Sequence, residues 1–200
     1  MELWGDYINN KGKHLSKWTW YIPAYERHFS RLRNQSNTFL EIGVWQGGSI
    51  ELWRNYFGPL TRIIGIDIDD NCKNCGTEGT IFRQGSQSDT NFLQSLVNEF
   101  GVPDIILDDG SHQTPDIIAS FDFFYPLMPK NGVYMIEDLH SYEQQMEVFT
   151  HIRKNYGWDN TFSATLYDSI ICIEKCQYGW KGNSARPVLP ESLFNYNSKA

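Results

Sequence analysis

The chain has 200 residues, with 17 Lys and Arg against 24 Asp and Glu, a formal net charge of −7, and no basic run. That length suits one core and one site, and that balance argues against binders of nucleic acid or of anionic membranes. Apolar residues make up 40% but occur only in short stretches, far short of a membrane span or signal core, so a soluble, unexported cytoplasmic protein is expected.

The first predicted unit, residues 1–36, is an aromatic flap. Trp18, Trp20 and Tyr21 precede a helix whose first turn holds Pro23 and whose apolar face is Tyr25, Phe29 and Leu32. From residue 37 to residue 176, short apolar runs alternate with amphipathic ones, the pattern of βαβ units around a mostly parallel sheet. Seven strands are predicted: Thr38–Ile42, Ile63–Ile66, Thr80–Phe82, Asp104–Leu107, Val133–Ile136, Ser163–Leu166 and Ser169–Ile173. Helical spacing joins Ile50, Trp53 and Phe57, then Leu93, Leu96, Val97 and Phe100, then Ile117, Phe121 and Phe124, and last Tyr142, Met146, Phe149 and Ile152. Tyr167 and Asp168 leave no room for a crossover helix, so the last two strands are expected to form an antiparallel hairpin at a sheet edge. Residues 177–200 lack periodicity and read as an irregular tail.

The turn after the first strand, Glu41-Ile42-Gly43-Val44-Trp45-Gln46-Gly47-Gly48-Ser49, opens a helix whose free N–H groups suit a polar ligand. A dinucleotide fingerprint fits poorly because Trp45 stands where its second glycine belongs, and a triphosphate loop fits poorly because it lacks the Lys before Ser49. The E-x-G-x-x-x-G that remains is a pattern of class I S-adenosylmethionine-dependent methyltransferases, with Glu41, Gly43 and Ser49 as cofactor residues. Asp67 ends the second strand, placed to accept hydrogen bonds from ribose hydroxyls, with Asp69 and Asp70 as helix-capping alternatives. Gly85-Ser86-Gln87-Ser88 either forms a simple turn or offers small polar groups where an adenine edge would lie, with Gln87 and Ser88 as the cofactor residues.

Asp108-Asp109-Gly110-Ser111-His112 follows the fourth strand and Glu137-Asp138-Leu139-His140 the fifth. Those strand ends open on one crevice, so four carboxylates are expected to converge, a costly grouping that a hard cation such as Mg²⁺ relieves. His112 is then the expected general base and His140 the weaker candidate. Cys72-x-x-Cys75 and Cys172-x-x-x-Cys176 resemble zinc pairs, but they lie about a hundred residues apart, and the favoured expectation is a surface loop plus a buried thiol in a reducing compartment.

Taken together, residues 41–49, G-I-D-I-D (65–69), G-S-Q-S-D (85–89), D-D-G-S-H (108–112), I-E-D-L-H (136–140) and Y-D-S-I (167–170) before I-E-K (173–175) resemble the metal-dependent sugar O-methyltransferases of macrolide tailoring, the macrocin and mycinamicin type, related to the cephalosporin-hydroxylase-like group. The resemblance implies a Rossmann-like class I fold, α/β with helices on both faces of the sheet, that uses S-adenosyl-L-methionine and Mg²⁺. It implies metal ligands Asp109, Glu137 and Asp138 and the base His112, with Asp108 counted among the cofactor residues. Ser86 departs from the Asp more usual after that glycine. With no additional substrate-binding domain in these residues, the expected acceptor is a sugar or glycosylated small molecule rather than specifically a macrolide. The exposed aromatics are compatible with a homo-oligomer. Two rival readings are a metal-dependent hydroxylase or hydrolase, to which Glu41, Gly43 and Asp67 would be dispensable, and a non-catalytic S-adenosylmethionine-binding module that would tolerate loss of His112.

Overall fold

The computed structural model describes residues 2–159 and 161–176, so the predicted tail lies outside the described residues. Strands β1 (Thr38–Ile42), β2 (Arg62–Asp67), β3 (Thr80–Gln84), β4 (Ile105–Asp108), β5 (Val133–Ile136), β6 (Phe162–Tyr167) and β7 (Ile170–Lys175) form one sheet. Its order is β3-β2-β1-β4-β5-β7-β6. The pairs from β3 to β5 are parallel, and β7 runs antiparallel to both β5 and β6. The predicted hairpin is therefore present, with its two-residue loop one position later, at Asp168 and Ser169. Tyr167 pairs with Ile170, and Ser169 takes the left-handed turn conformation at φ 59°.

Helices α1 (Glu2–Ile8), α2 (Tyr21–Phe29) and α3 (Gly48–Phe57) cover one face, and α4 (Thr90–Phe100), α5 (Thr114–Phe124) and α6 (Tyr142–Tyr156) the other. The period-2 pleat sorts the strands between them: Phe39, Ile63, Ile105 and Met135 point into the first core, and Leu40, Ile64, Ile106 and Ile136 into the second. Such near-continuous apolar strands are what a sheet covered on both faces requires. Rings dominate the first core, where Trp53 makes edge or tilted contacts with Tyr25, Phe29, Phe39 and Phe57.

Three details depart from expectation. Helix α1, which buries Leu3, has no forecast counterpart. Helix α6 buries Gln145, Val148 and Ile152, whereas Tyr142 is 71% exposed. A polar residue sits on that buried stripe because the Gln145 amide donates to the hairpin carbonyls of Tyr167 (2.7 Å) and Ile170 (3.2 Å). Finally, Cys72 is buried in a 3₁₀ turn rather than exposed on a loop; all four cysteines are free thiols, and among the described residues none joins a metal-type cluster. No helix among the described residues is long and apolar enough to cross a membrane.

Candidate active site

The carboxyl ends of β1, β2, β4 and β5 border a cavity of about 430 Å³, and a smaller one of about 150 Å³ shares Gly43, Asp67 and Gly110 with it. This is the crevice at which open α/β sheets bind ligands. Its floor depends on Gly43. At φ +88°, a Cβ there would lie 2.0 Å from the Asp109 carbonyl oxygen, so only glycine lets the β1 turn touch the β4 turn. Ser49, in the first turn of α3, and Trp45, at φ 46° and 55% exposed, line the larger cavity.

Asp67 holds this turn in place. Its Oδ2 accepts from the N–H groups of Val44 (2.8 Å) and Trp45 (3.1 Å), and its Oδ1 from that of Asp69 (2.9 Å). Burial pushes the carboxyl up, but these donors outweigh burial and hold it below the usual range, so it stays an ionised acceptor at the cavity wall. Asp69 caps the following 3₁₀ turn, as its alternative reading required. In the smaller cavity the wall is Gly85, Ser86 and Gln87, while Ser88 is exposed and hydrogen-bonded to Ser86 outside it.

Two of the four expected carboxylates meet in one cluster with His112, and a third stands behind them. Asp109, His112 and Asp138 each offer a ligand atom within 4.8 Å of the others, with His112 Nε2 3.9 Å from Asp109 Oδ1. His112 and Asp138 have φ of 57° and 51°, backbone strain of the kind that collects at functional sites. Glu137 lies just behind, fully buried. Its Oε1 accepts from the Tyr25 hydroxyl (2.5 Å), and its Oε2 is 2.6 Å from the Lys17 ammonium, which also reaches Asp109 Oδ2 at 2.5 Å. Burial pushes the Glu137 carboxyl up and works against the ammonium charge, yet the carboxylates raise Lys17 above its ordinary range. We take the pair as ionic, because two charged partners close around one ammonium outweigh its desolvation. The Tyr21 hydroxyl donates to Asp138 Oδ1 (2.6 Å).

Asp108 is the exception to the expected convergence. It continues the β4 alternation on the Ile106 side, so its carboxylate enters the second core. There it accepts from Gln87 Nε2 (3.0 Å), Ser120 (2.8 Å) and Tyr134 (3.0 Å), and burial pushes it up to about 6. Gln87 then accepts from the Ser111 N–H at 2.8 Å, so Asp108 and Gln87 brace the loop that carries His112. Glu41 is likewise behind the cavity. Trp53 Nε1 donates to its Oε1 (3.2 Å), its buried Oε2 has no hydrogen-bond partner among the described residues, and burial, opposed by Lys17, pushes it up to about 7. His140 packs edge-on to His112, ring centres 5.3 Å apart. Gln144 Nε2 donates to the His112 carbonyl (2.7 Å), and its Oε1 accepts from the His140 N–H (2.9 Å).

Lys17, Tyr21 and Tyr25 are the site residues that sequence reasoning missed. Tyr25 reads as part of the helix's apolar face and Tyr21 as part of the aromatic flap before it; the signal that could have found them is the surplus of predicted carboxylates, which required cations and donors from elsewhere in the chain.

No family model matches the chain. It is 42% identical over 130 residues to the 8-demethyl-8-(2-methoxy-alpha-L-rhamnosyl)-tetracenomycin-C 3'-O-methyltransferase of Streptomyces olivaceus, covering 61% of this chain and 33% of that one. It is 40% identical over 128 residues to the mycinamicin VI 2''-O-methyltransferase of Micromonospora griseorubida, covering 60% and 31%. Among solved structures, the MycE methyltransferase of the mycinamycin pathway, in complex with Mg, SAH and mycinamycin VI, superposes with a TM-score of 0.72 at 28% identity, covering 91% of this chain and 55% of MycE. The chain thus spans about a third of the length of the curated relatives it matches. It has the class I methyltransferase fold and is similar in sequence to the sugar O-methyltransferases of antibiotic tailoring.

Proposed function

We propose that this chain transfers the methyl group of S-adenosylmethionine to a sugar hydroxyl with the help of a divalent cation, Mg²⁺ by preference. One observation carries the reading: a single cavity joins the Gly43 and Asp67 cradle to the Asp109, His112 and Asp138 cluster. The residues present fit both groups. The carboxylates of Asp109 and Asp138 are hard oxygen donors of the kind such a cation takes, with the His112 imidazole beside them left to act as base, and an ionised Asp67 beside a glycine-floored turn suits a ribose.

When bound, the cofactor supplies an electrophilic methyl group and the cation supplies Lewis acidity toward an acceptor oxygen. The chain's own residues do the rest. Asp67 accepts from the ribose hydroxyls, Gly43 admits the cofactor beside the backbone, Ser49 lines the larger cavity, and Ser86 and Gln87 border the adenine end. Asp109 and Asp138 hold the cation, with Glu137 as a third carboxylate directly behind. His112 Nε2 would take the proton of the acceptor hydroxyl, leaving that oxygen free to receive the methyl group that the cofactor would supply. Asp108, Gln87 and Gln144 hold the His112 loop, and much of the rate comes from that fixed geometry. Glu41 supports the floor from behind.

Calorimetric titration of S-adenosylhomocysteine, with and without Mg²⁺, tests the reading. Saturable cofactor binding and a separate Mg²⁺ isotherm lost in Asp109→Asn are expected. Absence of cofactor binding would refute it.

A further inference from the structure

Lys17 stands apart from the residues assigned so far. Its side chain is 3% exposed, and the ammonium lies between Asp109 Oδ2 at 2.5 Å and Glu137 Oε2 at 2.6 Å. The metal-type cluster contains Asp109, His112 and Asp138 but not Glu137, whose two oxygens are engaged by Lys17 and Tyr25. We propose that Lys17 is a built-in counter-cation that competes with a divalent cation for Asp109 and Glu137, so that metal binding releases Lys17 and the segment it anchors. The proposal rests on the metal reading above.

A buried ammonium and a dication drawn to the same pair of carboxylates repel each other strongly where water is excluded. In the metal-free protein the ammonium relieves the repulsion between Asp109 and Glu137, which would otherwise make this pocket costly to assemble. A bound dication takes over that task.

The anchored segment lies over the cofactor cavity. His14, Ser16 and Lys17 line it, and the His14 carbonyl presses on Gly48, where a Cβ would be 2.0 Å away. The Lys17 carbonyl accepts from Tyr7 at 2.6 Å, which ties the segment to α1 as well. Withdrawal of Lys17 would therefore loosen one wall of the cavity as the metal site fills.

Mn²⁺ is the probe. Titration followed by electron paramagnetic resonance should show Lys17→Met binding Mn²⁺ about tenfold more tightly than wild type, because the competitor is gone and Glu137 is free to ligate. In the unmodified protein, saturating Mg²⁺ should speed trypsin cleavage after Lys17 several-fold, a measurement that stands even if Lys17→Met does not fold. Equal or weaker Mn²⁺ binding by a variant shown folded by circular dichroism overturns the competition, as does slowed or unchanged cleavage in wild type. Wild type that binds no Mn²⁺ at all overturns the metal reading together with this proposal, whereas wild-type binding with an unchanged variant affinity overturns this proposal alone.

Discussion

Gly43 and the Asp109 carbonyl are in such close approach that a single added methyl group would sit 2.0 Å from that oxygen. The contact, with the Asp109 N–H to Ile42 carbonyl hydrogen bond (2.9 Å), locks the turn after β1 to the turn after β4, which carries the acidic cluster. On the proposed function, placement of a methyl donor against a metal-held acceptor would depend on this registration.

Gly43→Ala should break that registration. A residue with a side chain at φ +88° is strained by about 1–3 kcal/mol, and the clash with Asp109 adds to it. S-adenosylhomocysteine affinity is expected to fall at least about tenfold, and the melting temperature by a few degrees. Calorimetry and thermal unfolding check both. Unchanged affinity would place the cofactor elsewhere.

Asp67→Ala removes a charged acceptor. Losing its hydrogen bonds to ligand hydroxyls costs about 1.5–3 kcal/mol, a roughly tenfold to hundredfold weaker dissociation constant for S-adenosylhomocysteine. The same variant frees the Val44 and Trp45 N–H groups, so a modest stability loss should accompany it. Wild-type affinity in a folded variant would remove Asp67 from the site.

Gln144→Ala separates positioning from binding. The variant loses the bonds to the His112 carbonyl and the His140 N–H, each worth about 1 kcal/mol. Turnover should drop roughly tenfold while S-adenosylhomocysteine affinity stays the same, because Gln144 does not border the cofactor cavity. Steady-state kinetics beside calorimetry reads this; a loss confined to cofactor affinity would contradict it.

Glu41 predicts a pH dependence. Burial raises its carboxyl from the ordinary 4.5 to about 7, against the pull of Lys17. The folded state thus binds this proton more tightly than the unfolded chain. The stabilisation is full below about pH 4.5 and is lost as the pH rises through about 7. Glu41→Gln removes this dependence, so the melting temperature of the variant relative to wild type should rise between pH 5 and pH 8. A difference that stays constant over that range would show that Glu41 is ionised throughout.

Much of this was legible in the sequence because the signals were local. Strand positions followed apolar runs, the hairpin followed from a connection too short for a helix, and the turns at 41–49, 108–112 and 136–140 carried glycine and carboxylate patterns with few alternatives. The rest depended on contacts remote in sequence. Asp108 and Asp109 were both expected in the crevice, yet strand alternation sends one to the α5 side and the other to the cleft. Lys17 reaches Glu137 across 120 positions, and nothing near either residue announces the pairing. Gln145 interrupts an apolar stripe because the carbonyls it satisfies belong to a hairpin that follows it.

Metal-assisted methyl transfer to a sugar oxygen with His112 as base is read by mass spectrometry of a panel of rhamnosides incubated with the protein and methyl-deuterated S-adenosylmethionine, in Mg²⁺ or in EDTA, for wild type and His112→Ala. Labelled methyl is expected on a sugar oxygen in Mg²⁺, with its loss in EDTA and a decrease of on the order of 10²–10⁴ in His112→Ala with cofactor affinity intact. Undiminished transfer in EDTA and in His112→Ala would contradict this reading.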